Sequence, residues 1–256
     1  MSSRLNLYRF SNMLAYVVVV AVNSIAGAVG INGLKTGDVS NRFDTLIAPA
    51  GYVFGIWGVI YLLLLGYVIY QFSSRRSWAG FQSKIGPLFI VSCIINVCWL
   101  LLWHYLLITA SLALMLGLLL TLITIYIRLG VGLERVGLVE RLFVHLPFSV
   151  YLGWITVATI ANVAATLVFL GHNQIILGAV NWTILVIAVA VAITGVVLWT
   201  RRDVAYAAVL VWALVGVYVR QAGMSSLPYL ALAGAAVVGI LATIVIFRGR
   251  AIMGIS

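Results

Sequence analysis

The chain has 256 residues, of which 64% are hydrophobic and only 8% are charged, and its mean hydropathy is +1.20. A soluble core of this size cannot bury so much apolar side chain, so most of the chain must lie in lipid, which excludes a soluble globular protein. The net charge of +10 is spread over many short segments between apolar runs. This pattern excludes a nucleic-acid-binding surface and indicates contact with anionic lipid headgroups of the bilayer.

Eight apolar runs are long enough to span a bilayer, which takes about 20 residues. They predict an all-α integral membrane protein with eight transmembrane helices. The first run follows Arg4 and Arg9 and so resembles a signal peptide, but it is long enough to be retained as a span. The predicted spans are 10–33, 50–71, 86–108, 110–128, 142–170, 178–199, 203–221 and 227–247.

The basic residues predict the orientation of the chain. With the N-terminus in the cytoplasm, all but three of the 15 Lys and Arg residues fall on the cytoplasmic side, the exceptions being Lys35, Arg42 and Arg220. The positive-inside rule favours this arrangement. Eight spans then place both termini in the cytoplasm, and we expect a multi-pass protein of a bacterial or archaeal inner or plasma membrane.

The predicted spans carry few groups that could perform chemistry. None of the five acidic residues lies deep in a span, and no Ser–His–Asp set, HExxH motif or glycine-rich phosphate loop is present. Ion-coupled transport usually needs ionisable groups at membrane depth, so their absence disfavours an ion-coupled transporter. We therefore expect a protein that is not an enzyme, has no catalytic residues and has no metal site.

Three predicted spans carry an aromatic stripe along one helical face. In each stripe the first three residues are spaced at i, i+3 and i+7, so three such faces turned inward would form an aromatic-walled cavity. His104 could ligate haem iron or bond to a neighbouring helix, and Asn96 and Asn162 could bind a ligand or join helices. The stripes are Phe54–Trp57–Tyr61, Asn96–Trp99–Trp103 and Tyr151–Trp154–Ala158–Asn162.

These segments resemble motifs of the tryptophan-rich sensory protein/translocator protein (TspO/MBR) family. Residues 48–61, APAGYVFGIWGVIY, resemble its second-helix motif of proline, an aromatic–glycine stretch, and Trp followed by Tyr. Residues 96–104 are similar to its Asn-x-x-Trp motif with a following aromatic pair, and residues 151–162 to its fifth-helix motif. The three motifs occur in the family's order on the second, third and fifth predicted spans.

The resemblance covers about residues 10–170 and implies a five-helix bundle over residues 1–170. Residues 171–256 would then be a three-helix extension packed on it within one continuous membrane domain. It also implies an outward-opening pocket capped by the loop 32–49, for a porphyrin or haem, another tetrapyrrole, a sterol or isoprenoid, or a carotenoid-like pigment. The implied pocket residues are Pro49, Phe54, Trp57, Tyr61, Asn96, Trp99, Trp103, His104, Tyr151, Trp154, Ala158, Thr159 and Asn162.

Two departures from the family pattern bear on function. Ala48 stands in place of the first proline, and Leu46 in place of a tryptophan of the preceding loop, so tetrapyrrole breakdown is not implied. Three functions fit the residues: a sensor or carrier that binds an apolar small molecule, a structural or assembly subunit of a larger membrane complex, or a small-molecule transporter. Gly51-x-x-x-Gly55 and Ala235-x-x-x-Gly239 are small-x-x-x-small patterns, which predict contact with a second copy or another membrane partner.

Overall fold

The computed structural model describes residues 2–43, 45–73, 78–172, 178–223 and 227–252. These residues form a bundle of α-helices, as the apolar periodicity predicts. The segments are α1 (Ser2–Ala28), α2 (Thr36–Arg42), a 3-10 helix (Gly51–Gly55), α3 (Ile56–Tyr70), α4 (Trp78–Ile85), α5 (Leu88–His104), α6 (Ile108–Leu129), α7 (Leu138–Glu140), a π-helical turn (Arg141–His145), α8 (Leu146–Phe169), α9 (Gly178–Arg201), α10 (Val204–Gln221) and α11 (Leu227–Ile252).

Seven stretches of the described chain are long and apolar enough to cross a membrane. Helix α5 is apolar but has 17 residues. At 1.5 Å per residue it is about 25 Å long, shorter than the roughly 30 Å hydrocarbon core. The all-α class is confirmed, and an eighth span stays a prediction. The seven stretches are Leu7–Ala28, Gly51–Tyr70, Ile108–Leu129, Leu138–Phe169, Gly178–Arg201, Val204–Gln221 and Pro228–Arg248.

Polar side chains join α1 to the rest of the bundle. The Tyr16 hydroxyl donates to the carbonyl of Tyr61 in α3 at 2.9 Å, and Asn23 Nδ2 donates to Asn96 Oδ1 in α5, also at 2.9 Å. An unpaired amide or hydroxyl in apolar surroundings costs a few kcal/mol. These bonds therefore fix how α1 sits against α3 and α5, next to the aromatic residues that both helices carry.

Glycines allow α8 and α11 to pack closely against neighbouring helices. A Cβ atom on Gly153 of α8 would come within 3.2 Å of the Tyr206 carbonyl oxygen in α10. A Cβ on Gly234 of α11 would lie 3.3 Å from Leu214 and 3.4 Å from Ile187. Helix α10 thus packs on α8 as well as on α11, while the division of the chain into two parts near residue 170 stays a prediction.

The two small-x-x-x-small patterns do not form free α-helical faces. Gly51 and Gly55 lie in a 3-10 helix, where about three residues make a turn, so four-residue spacing puts them on different faces. Ala235 is 4% exposed and belongs to the core shared by α9, α10 and α11. A second copy or another partner for this chain stays a prediction.

The predicted orientation depends partly on residues that are not described. Arg75, Arg76 and the last four residues lie outside the described residues, as does Asp44 in the loop that is predicted to cap the pocket. The cytoplasmic location of both termini therefore stays a prediction.

Candidate functional site

The aromatic faces of α3, α5 and α8 meet around one ring. The centroid of Trp57 lies 6.1 Å from that of Trp99, 6.1 Å from that of Tyr151 and 6.2 Å from that of Trp154. Phe54 contacts Trp154 with a centroid distance of 6.0 Å. These separations fall within the roughly 4.5–7 Å range of favourable aromatic pairs. The stripes seen in the sequence thus converge, although they belong to three separate helices.

A cavity opens beside this cluster, and eight of the thirteen predicted site residues line it. They are Pro49, Phe54, Trp57, Trp99, Trp103, Trp154, Ala158 and Asn162. Thr36, Ser40, Val157 and Ala161 complete the lining and were not predicted. Thr36 and Ser40 are spaced i, i+4 on the short helix α2, so both lie on one face of it. This spacing, in a loop expected to cap the pocket, is the sequence signal that could have identified them as lining residues.

Three other predicted residues support the cluster without lining the cavity. The ring of Tyr61 stacks on Trp57 with centroids 5.6 Å apart. Asn96, which accepts from α1, also donates through Nδ2 to the Tyr151 hydroxyl at 3.2 Å. These contacts fix the rings of Trp57 and Tyr151. Tyr61, Asn96 and Tyr151 therefore position the cavity wall without lining the cavity.

Thr159 and Asn162 of α8 differ in their exposure to the cavity. The buried hydroxyl of Thr159 donates to the carbonyl of Ile155 at 2.7 Å, one turn earlier in the same helix. Asn162 lines the cavity, and its Nδ2 donates to the Ser111 hydroxyl of α6 at 3.3 Å. Asn162 therefore joins two helices and also offers an amide to the cavity, which combines the two roles left open by the sequence.

The loop 32–49 caps the cavity and is held to the end of α5. Trp103 Nε1 donates to the Thr36 carbonyl at 3.3 Å, and Asn32 Nδ2 donates to the His104 carbonyl at 3.1 Å. The fully buried His104 ring donates from Nδ1 to the Leu100 carbonyl at 2.7 Å, which leaves Nε2 facing the Thr36 hydroxyl at 3.5 Å. His104 therefore lies at the cap's attachment and does not line the cavity.

Helix α10 holds the other side of the cap and the 3-10 helix that follows it, which the sequence did not indicate. The backbone N–H of Ala50 donates to the Gly216 carbonyl at 3.0 Å, and Trp212 Nε1 donates to the Val53 carbonyl at 3.2 Å. Gln221 Nε2 adds a bond of 3.2 Å to the carbonyl of residue 46, and the side chains of residues 220 and 41 are hydrogen-bonded. The C-terminal part of the chain thus belongs to the site.

The cavity is small in this conformation. Its non-atom space is about 440 Å³, but this includes open solvent, and the volume open to the centre of a water molecule is about 40 Å³. Since one water requires about 10–15 Å³ by that measure, the enclosed part holds about three waters. A ring compound can enter only if the cap or the rings move apart.

The comparison with protein families identifies the family of this chain. The model of the TSPO-like protein family matches residues 9–246, nearly the whole chain. The chain belongs to the TSPO-like protein family. No curated protein and no solved structure matched it significantly. The family match and the apolar helices make it an integral multi-pass membrane protein, and family membership indicates a membrane ligand-binding or sensor protein. The match includes α9, α10 and most of α11, which lie beyond the motifs noted in the sequence.

Two cavity-lining tryptophans of this TSPO-like protein carry buried indole N–H groups. The Nε1 atoms of Trp99 and Trp154 are buried and, among the described residues, have no hydrogen-bond partner. An indole N–H can only donate, and leaving a buried donor unpaired costs about 1–3 kcal/mol. Both side chains line the cavity, although the Nε1 atoms themselves are buried, so an acceptor on a bound molecule would remove this cost once the rings move apart.

Proposed function

We propose that this TSPO-like protein binds a rigid, mostly apolar ring compound, such as a porphyrin or sterol, and serves as its sensor or carrier. The observation that supports it is that the indole N–H groups of Trp99 and Trp154 have no hydrogen-bond partner among the described residues, while their rings lie 6.1 and 6.2 Å from that of Trp57. A flat ligand that carries a carboxylate, carbonyl or hydroxyl would satisfy a donor while it stacks on the rings. No chemical step is proposed, and the protein acts by binding.

Aromatic walls can supply enough free energy for useful affinity. Each ring pair adds about 0.5–1.5 kcal/mol beyond burial, and a micromolar dissociation constant corresponds to about −8 kcal/mol. Rigid ligands and rigid aromatic side chains lose little conformational entropy on binding, which limits the opposing cost. Two or three stacked contacts together with burial of the ring compound are therefore sufficient for micromolar binding.

The cap offers a way for binding to become a signal. Since about 40 Å³ is open in this conformation, the bound state must differ from it in the position of α2 or of the rings. A ligand shifts such an equilibrium by its differential affinity for the two states. The cap is attached to α5 through Trp103 and to α10 through Gln221, so its movement would be transmitted to both helices.

The test is a titration of the purified protein in lipid nanodiscs with protoporphyrin and with cholesterol, followed by Trp fluorescence. Ala158 lines the cavity one turn beyond Trp154, so Ala158→Phe should fill the space and weaken binding by at least about tenfold. Ala113→Phe is the matched control, since Ala113 is exposed on α6 and should bind as the unmodified protein does.

Two results would contradict the proposal. The first is an unmodified protein that binds neither compound, and the second is an Ala158→Phe variant that binds as tightly as the Ala113→Phe control. Either result would favour an assembly subunit, for which a stoichiometric protein partner should be retained through purification.

A further inference from the structure

A second cavity lies beside the aromatic one, in the crevice between α8, α9 and α10. All twelve residues that line it are apolar, and they include Ala190 of α9 and Ala213 of α10. The lining on α10 runs from Leu210 to Val217, which is about 10 Å along a helix. The volume open to the centre of a water molecule is about 30 Å³, and without polar partners such a space stays dry.

The two cavities are adjacent and share part of their walls. Pro49 of the cap and Val157 and Ala161 of α8 line both of them. The aromatic cavity also has polar lining side chains, among them Thr36 and Ser40, whereas the second cavity has none. The lining therefore changes from aromatic and polar in the first cavity to purely apolar in the adjacent one.

The wall of the second cavity that faces α11 is closely packed. Ile187 and Leu214 line it, and both lie within 3.4 Å of where a Cβ atom on Gly234 of α11 would stand. Helix α11 therefore supports this wall, and because the open volume holds only about two or three waters, a chain can enter only if α8 or the cap moves away from it. An empty space forfeits the dispersion contacts of its lining atoms, and an apolar chain that enters it restores them.

We propose that the second cavity binds an aliphatic or prenyl chain that is attached to the ring compound in the aromatic cavity, so that the native ligand is a ring with an apolar tail. This inference rests on the proposed function, because the ring must occupy the aromatic cavity. The shared wall of Pro49, Val157 and Ala161 places the two cavities side by side, which favours the tail of a ligand bound in the first over an acyl chain of a bilayer lipid. The second cavity also offers no polar group to a lipid headgroup.

Pheophorbide a and pheophytin a provide a matched pair of probes, because they share one macrocycle and only pheophytin a carries a phytyl chain. A pheophytin with a diazirine at the end of the phytyl chain is photolysed with the full-length protein in nanodiscs, and the labelled peptides are identified by mass spectrometry. We expect label on α9 and α10, and excess pheophorbide a should remove it by taking the ring site.

Variants then test the position of the chain. Ala190→Phe on α9 and Ala213→Leu on α10 fill the second cavity and should lower labelling of the two helices by at least about tenfold. Both should still bind pheophorbide a, which also shows that they fold. Ala188→Phe is the matched control, because Ala188 is exposed on the same helix and its labelling should not change.

The outcomes separate this inference from the proposed function. If pheophorbide a quenches Trp fluorescence but the phytyl label falls on other helices, the tail site is wrong and the ring site stands. If labelling of α9 and α10 persists in excess pheophorbide a, the phytyl chain enters the second cavity without the ring in the aromatic cavity, as a lipid chain would. That result would overturn the inference. If pheophorbide a does not bind at all, the inference and a porphyrin-binding function both fail.

Discussion

A Cβ atom on Gly216 of α10 would overlap the side chain of Val53 in the 3-10 helix that follows the cap. The same glycine accepts the hydrogen bond from Ala50, and the adjoining turn of α10 carries Trp212, which donates to the Val53 carbonyl. The contact is therefore possible only because residue 216 has no side chain. It makes α10 a fixed support for one end of the cap.

Gly216→Ala should therefore destabilise the protein and loosen the cap. Overpacking of this kind costs about 1–3 kcal/mol, and we expect a lower thermal midpoint and weaker protoporphyrin binding. Gly195→Ala on α9 is the control, since nothing lies within 4 Å of its Cβ position and Ala favours a helix. Equal stability of the two variants would show that α10 does not clamp the cap.

Brominated lipids should distinguish the cavity tryptophans from the lipid-facing ones. Trp99 and Trp154 are 4% and 2% exposed, whereas Trp199 is 77% exposed. Replacing Trp199 by Phe should lower the fraction of fluorescence quenched by brominated chains, because bromine quenches on contact. Trp99→Phe and Trp154→Phe should leave that fraction unchanged or raise it, and a marked fall in either variant would place its ring in lipid.

The buried amides should be energetically coupled across α1 and α5. Asn23 Nδ2 donates to Asn96 Oδ1 at 2.9 Å, and Asn96 in turn donates to Tyr151. Hydrogen bonds within membranes average about 0.6 and reach about 1.7 kcal/mol in double-mutant cycles. Unfolding of the Asn23→Ala, Asn96→Ala and double variants should give a coupling in this range, and purely additive effects would contradict the network.

Asp203 should stabilise the fold at the junction of α9 and α10. Its carboxylate accepts from the Tyr126 hydroxyl at 2.8 Å and from the Ser149 hydroxyl, and it caps α10 by accepting from the Tyr206 backbone N–H at 3.1 Å. Asp203→Ala leaves both buried hydroxyls without this acceptor and should lower the free energy of unfolding by about 1–3 kcal/mol. Thr200→Ala, an exposed position nearby, should have little effect.

The aromatic cavity could be predicted because its parts recur at helical spacing. Trp57, Trp99 and Trp154 each occupy the middle of an i, i+3, i+7 stripe, and such a stripe defines a helix face regardless of tertiary structure. Tyr61 and Tyr151 belong to the same stripes but lie behind Trp57. Which member of a stripe reaches the cavity depends on how each helix is rotated about its axis in the bundle. The spacing of residues in the sequence does not determine that rotation.

The hydrogen bonds that join α10 to the cap and to the 3-10 helix after it could not be predicted from local sequence. The Trp212 bond to Val53 spans 159 residues, and the bond from Gln221 to residue 46 spans 175. Helix α2 has seven residues and a mostly polar sequence, so no apolar period marks it. The second cavity is lined by aliphatic side chains such as Leu210. In the sequence, these residues cannot be distinguished from ordinary lipid-facing or core residues. These features depend on packing between distant helices.

His104 should not ligate the iron of bound haem. Its Nδ1 donates to Leu100 and its Nε2 faces Thr36, and the ring is fully buried at the attachment of the cap instead of lining the cavity. We therefore expect haem and metal-free protoporphyrin to bind with similar dissociation constants, because the contacts are made to the macrocycle. His104→Ala should leave the Soret band of the haem complex in place, while loosening the cap and speeding dissociation of both compounds.

His172→Ala, at an exposed turn, is the control and should change neither the Soret band nor the rate of dissociation. A Soret band that shifts in His104→Ala but not in His172→Ala would identify His104 as an axial ligand and would require the cap to open far enough to expose it.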